Sequence, residues 1–113
     1  MAENVDRDGK NAQQRFEEIR TFFLSWLEGS GHARTELYYR PKPGDAREPT
    51  EEEVVRKWAG DMRVRLNDIL IGIQRGFEAG AEARKPVTSF RWCVPHIVGR
   101  LNEVRESRVG SSY

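Results

Sequence analysis

The sequence predicts an all-α protein, a compact bundle of about four helices with a long irregular loop after the first. Three observations predict it. Apolar residues recur at three- and four-residue steps in separate segments. A Thr-Glu-Glu-Glu run at 50–53 has the composition of a helix start. Clusters of glycine and proline then cut the periodic segments apart. The 113 residues allow one domain with one core. Residues 1–10 read as a disordered lead-in, 11–107 as a single helical domain and 108–113 as a frayed tail.

Residues 1–10 carry almost no apolar side chain, hence the expectation of disorder. Asn11 can cap the helix that follows. Phe16, Ile19, Phe23, Trp26 and Leu27 line one face over about 12–28, with Arg15, Glu17, Glu18 and Arg20 off it. Gly29-Ser30-Gly31 ends that helix. The segment 32–49 is the least regular. Leu37-Tyr38-Tyr39 could be a short extended piece, and Pro41, Pro43, Gly44 and Pro49 exclude helix interior and central strand.

Thr50 and Glu53 form a capping box in front of a short helix whose apolar face is Val54, Val55 and Trp58. Gly60-Asp61 breaks it, with Asp61 capping the next helix, or the two run on as one kinked helix. The next helix carries Leu66, Ile69, Leu70, Ile73 and Phe77. Its Gly72 and Gly76 each cost about 1 kcal/mol of helix propensity. Close approach of another helix backbone is one return; a gap for a ring such as Trp92 is the other. Pro95 fits the first turn of a last helix, from Cys93 or Val94 to Arg105. Ile97, Leu101 and Val104 would face inward there, with Phe90 and Trp92 folded back. The expected core is Trp26, Trp58, Leu66, Ile69, Ile73, Phe77, Trp92 and Ile97.

Net charge is +1, neither a nucleic-acid arm nor an acidic tail on average. Cys93 is the single cysteine, so no intramolecular disulfide forms, which suits a reducing compartment. No run approaches a membrane span, and the polar N-terminus lacks a signal peptide's apolar core. The expectation is a cytoplasmic protein that does not enter membranes.

Cys93 and His96 are spaced for contact on a helix, but bulky Trp92 and Val94 flank the thiol. A buried structural cysteine is the expected reading. Cys93, His96 and His32 are too few and too scattered for a zinc site. Glu51, Glu52 and Glu53 point in different directions and read as capping acids rather than a cluster. No phosphate loop, dinucleotide fingerprint, nucleophile elbow or metalloprotease motif is present. The expectation is no enzyme, no metal and no cofactor.

The basic residues are more informative. Arg84, Lys85, Arg91, Arg100, Arg105 and Arg108 face only Glu103 and Glu106 in the last thirty residues. Arg63, Arg65 and Arg75 add charge on the preceding helix. Arginine's planar fork suits phosphate, and a basic patch is the footprint of nucleic-acid binding. An ordinary solvated helix surface is the alternative.

The block TEEEVVRKWAGDMRVRLNDILIGIQRGFEAG, followed by SFRWCVPHI, resembles replication-associated helical modules of the DnaD type over about half the chain. Trp58 would be the family's helix-ending tryptophan, the stretch 66–77 its apolar helix, and Trp92 with Ile97 its aromatic–isoleucine pair. The resemblance implies a helical DNA-binding or replisome-interaction module of a bacterium, phage or mobile element, without catalysis. The first functional expectation is therefore a nucleic-acid-associated accessory module, with the six C-terminal cations on the phosphate backbone. The second is a protein-interaction subunit of a larger bacterial or phage assembly, docking through Leu37, Tyr38 and Tyr39. The oligomeric state is left open.

Overall fold

Four α-helices build the described part of the chain: α1 (Ala12–Gly29), α2 (Glu51–Gly60), α3 (Leu66–Glu82) and α4 (Val94–Gly110). A 3-10 turn, Phe90–Trp92, precedes α4. The computed structural model describes residues 5–38 and 49–110, with side chains as far as Glu106. Tyr39, the rest of the loop to residue 48, and the Arg108 side chain lie outside the described residues. The all-α bundle predicted from the sequence is the observed architecture. α3 lies between α1 and α4, and α2 packs on α1.

Two of the expected N-terminal caps, Asn11 and Thr50, form. Asn11 and Gln14 exchange side-chain and backbone bonds of 2.9 Å at the head of α1. Thr50 and Glu53 do the same at the head of α2, at 2.8 and 3.2 Å. Each box satisfies helix amides that have no partner within the helix. At the end of α1, Gly31 adopts φ 83° and His32 N–H returns to the Leu27 carbonyl at 2.9 Å. A residue with a Cβ would resist that left-handed conformation.

Residues 5–10, the described part of the expected disordered lead-in, are folded. Residues 5–10 close a turn, with the amides of Asp8 and Lys10 both 2.9 Å from Asp6 Oδ1. A short aspartate side chain can replace backbone partners in this way. The turn also covers Arg15, expected on the polar face of α1 but fully buried. Its Nε sits 3.4 Å from Asp6 Oδ2, and its Nη1 donates to the Asp61 carbonyl at 3.1 Å. It donates to the Val64 carbonyl as well.

Arg15 thereby holds the link between α2 and α3, where helical bonding stops. Residues 61–65 form a separate turn and α3 starts at Leu66. Asp61 does not cap α3; its carboxylate turns to Arg63 at 3.1 Å, and Arg65 occupies the cap position without a side-chain bond.

The core is continuous: Phe16, Ile19, Phe23 and Leu27 of α1 meet Val55 of α2, Ile69, Ile73 and Phe77 of α3, then Phe90 and Ile97. Phe23 is its aromatic centre, 5.7 Å from Phe77 and 5.4 Å from Phe90 in ring-centroid distance. Trp26 stacks on Phe77 at 5.5 Å but is only half-buried, as is Trp58.

The two α3 glycines are sites of close helix approach. A Cβ on Gly72 would stand 2.5 Å from Ile97 Cα, and one on Gly76 3.2 Å from Cys93 Cα. Gly72 opposite Ile97 and Gly76 opposite Cys93 also make α3 and α4 antiparallel. The ring gap for Trp92 is not what the glycines serve.

Trp92 is the main departure from the expected core: it is 61% exposed. A 3-10 helix has three residues per turn, so Phe90 and Cys93 share one side. Both are fully buried, and Trp92 is directed outward. α4 also runs past the expected end at Arg105, to Gly110.

Candidate functional site

The site is built from the first residue of α2. Glu51 was expected to be a solvated capping acid; its side chain is 2% exposed. Both oxygens are doubly engaged. Arg34 donates Nη1 to Oε1 at 2.8 Å and Nη2 to Oε2 at 2.9 Å. Tyr38 N–H reaches Oε1 at 2.9 Å and Phe90 N–H reaches Oε2 at 3.0 Å. One carboxylate thus joins α2, the segment 34–38 and the 3-10 turn. Burial pushes its pKa up, but the Arg34 guanidinium and the two amides outweigh burial and hold it below the ordinary carboxylate range.

This clamp fixes the backbone at Phe90, and the 3-10 geometry then sets Trp92 outside. The exposure continues along α4. Pro95, Val98, Gly99, Asn102, Arg105 and Glu106 are all exposed. Val98 is 44% exposed. Apart from its contacts with the 3-10 turn, α4 packs mainly on α3. Among its described side chains Ile97 is fully buried and Leu101 half-buried, and Cys93, just before it, is fully buried as well. The outer face therefore presents an indole, a proline ring and an isopropyl group in line. Trp92, Pro95 and Val98, at three-residue steps, carried that signal in the sequence.

Of the six expected phosphate ligands, the five with described side chains do not share one surface. Arg100 Nε bonds Asp68 Oδ1 at 3.0 Å, tying α4 to α3. Arg91 donates to the Pro49 carbonyl. Arg84 and Lys85 are exposed just past the end of α3, and Arg105 is exposed toward the far end of α4. Because the helices are antiparallel, these two groups lie at opposite ends of the pair. Twelve residues of helix separate Cys93 from Arg105, about 18 Å. Arg75, counted with the patch, is ion-paired to Glu103. The side chain of Arg108 lies outside the described residues.

The expected protein-docking triplet also divides. Leu37 is 5% exposed and belongs to the core. Tyr38 is 56% exposed, with the Arg34 guanidinium 3.9 Å from its ring centroid. Tyr39 lies outside the described residues. Leu37 is therefore an anchor for its segment and not a docking residue.

The described surface also carries hollows. A groove of about 750 Å³ runs between the C-terminal halves of α1 and α3, with Phe22, Trp26, Phe77, Arg84, Pro86 and Val87 in its walls. A smaller one of about 350 Å³ lies over Phe16, Arg20 and Glu52.

Cys93 is fully buried, and burial, then the Glu51 charge, pushes its thiol up to about 12. It is a packed thiol opposite Gly76, with no thiolate at neutral pH. Among the described residues, no group of three His, Cys, Asp or Glu is placed to hold a metal. Among them too, no helix is long and apolar enough to cross a membrane. Compared with protein-family models, curated proteins and solved structures, the chain matches none.

Proposed function

We propose that this chain is a non-catalytic protein-interaction subunit whose docking surface is the outer face of α4. The observation that carries the reading is the 61% exposure of Trp92 beside exposed Pro95 and Val98 on a helix whose other side is packed. Tryptophan is the residue type most enriched in interface hot spots. Here it stands on a backbone held by the Glu51 clamp, so little ordering is lost on docking. The nucleic-acid reading, including the DnaD-type role, stands second. Arg84, Lys85 and Arg105 are exposed and make no ion pair among the described residues, but they lie at two ends of the helix pair.

Site-directed photocrosslinking in the native host tests the first reading. A photoreactive side chain at Val98 should give a discrete protein adduct, while one at exposed Glu53, on α2, should not. Equal labelling at both positions, or none at Val98, removes the reading. A mobility shift titration on duplex and single-stranded probes covers the second. Phosphate contacts would weaken steeply with salt. No shift at low salt with micromolar protein would end that reading.

A further inference from the structure

We infer that the groove between the C-terminal halves of α1 and α3 binds a small planar aromatic carboxylate, its ring on Trp26 and its carboxylate on Arg84. The groove is separate from the α4 face, and the inference does not rest on the reading of that face. Its volume of about 750 Å³ falls within the range of small-molecule sites. Its walls are of the kind such sites have, mostly apolar with a few polar groups. Phe22 and Trp26 meet edge to face at 6.3 Å, and Trp26 stacks on Phe77 at 5.5 Å. The indole is therefore held in orientation while it stays half-exposed. A ring laid against it gains contact without ordering a mobile side chain.

Arg84 gives the groove its polar end. The chain leaves α3 with Lys85 N–H on the Gly80 carbonyl at 2.8 Å and Arg84 N–H on the Ala81 carbonyl at 3.2 Å. This is a helix-ending motif whose left-handed residue is usually glycine. Arg84 takes that place at φ 57°. The turn folds back so tightly that a Cβ on Gly80 would stand 2.7 Å from the Lys85 carbonyl. Pro86 and Val87 thereby enter the groove wall. A side chain kept on a strained backbone points to a use outside the local structure. Among the described residues Arg84 has no such use within the fold: it is exposed, lines the groove and makes no side-chain hydrogen bond or ion pair.

Charge and length then select the ligand. A guanidinium fork takes a carboxylate through two parallel hydrogen bonds. Glu78 lines the same groove, but its carboxylate accepts from Gln74 at 2.8 Å and does not pair with Arg84. One cation with an acid nearby suits a single negative charge better than a phosphate dianion. Phe77, on which Trp26 stacks, precedes Arg84 by seven residues, about 10 Å of helix rise. A fused two-ring carboxylate such as 2-naphthoate covers that span.

Titration of 2-naphthoate into the nitrogen-labelled full chain tests this. Trp26, Trp58 and Trp92 each give an indole N–H signal, so the groove reports separately from the rest of the surface. The Trp26 signal should move saturably, with a Kd of about 0.1–1 mM, as expected for a ligand of that size. The Trp58 and Trp92 signals should stay in place. 2-Naphthamide, the same ring without the charge, and 2-naphthyl phosphate should both bind about tenfold more weakly. Arg84→Gly should weaken 2-naphthoate binding by the same factor while melting no lower than wild type. A merely structural arginine would not give that combination. Arg84→Gln keeps the backbone strain and most of the stem, removes the charge and should weaken binding equally. No saturable movement at Trp26, equal movement of all three indoles, equal affinity for acid and amide, tighter binding of the phosphate, or unchanged affinity in both Arg84 variants overturns the inference.

Discussion

Glu51 and Arg15 each do, with one charged side chain, what the sequence pattern assigned to none. Glu51 accepts four bonds from residues distant along the chain, and Arg15 holds two carbonyls of the α2–α3 turn. Neither was legible from periodicity. Both sit where an amphipathic helix places polar residues, and their partners include main-chain groups 13 to 49 positions away, beside the Arg34 guanidinium and the Asp6 carboxylate. Removing one side of a buried ion pair leaves the other charge uncompensated, at about 3–5 kcal/mol. Glu51→Gln should cost that much in chemical denaturation. It should also flatten the acid limb of stability. A carboxyl held below its ordinary pKa contributes fully above about pH 4.3, and that contribution fades as pH falls through the lowered value. The stability gap between wild type and Glu51→Gln should therefore narrow below that pH. A constant gap would mean that Glu51 acts by shape alone.

Arg84 breaks a local rule. It sits at φ 57°, where α3 ends, with its N–H on the Ala81 carbonyl at 3.2 Å and Lys85 N–H on Gly80 at 2.8 Å. That is the glycine position of a helix-ending motif. Arg84→Gly should raise stability by about 1 kcal/mol, the usual cost of a left-handed residue that carries a Cβ. A lower melting temperature would show that the arginine side chain contributes more than its backbone strain removes.

At the scale of elements, the caps at Asn11 and Thr50 were legible because they are local, while the Gln14 half of the first box and the loss of Asp61 to Arg63 were not; the close approach at glycines 72 and 76 was one of two readings. The glycines make a sharp prediction. Gly72→Ala improves helix propensity by about 1 kcal/mol. Its Cβ would then lie 2.5 Å from Ile97 Cα, which is backbone and can yield only if α4 moves. Overpacking of that kind costs typically 1–3 kcal/mol or more. The net effect should be destabilising, and larger than for Gly76→Ala, where the approach is 3.2 Å. Thermal melts of the two variants check the order. The 3-10 turn was the element least legible. SFRWCVPHI holds two aromatics two positions apart, and a three-residue turn decides which one enters the core. The sequence pattern puts both rings inward; the structure buries Phe90 and exposes Trp92.

Across the whole molecule, the fold class followed from period and breakers, while the distribution of charge over the surface did not. Six cations close in sequence invited a single phosphate-binding surface. The antiparallel pairing of α3 and α4 sends Arg84 and Lys85 to one end and Arg105 to the other, and Arg91 and Arg100 are engaged in internal bonds. What remains continuous on the α4 side is apolar, from Trp92 to Val98. If the α4 face docks a partner, it is covered when the protein works. Oxidative footprinting of Trp92, with exposed Tyr38 as the reference, measures it directly. In dilute purified protein, below the micromolar range, both side chains should react. In the native host, Trp92 should be protected several-fold while Tyr38 stays reactive. Equal reactivity of Trp92 in both settings would contradict the account.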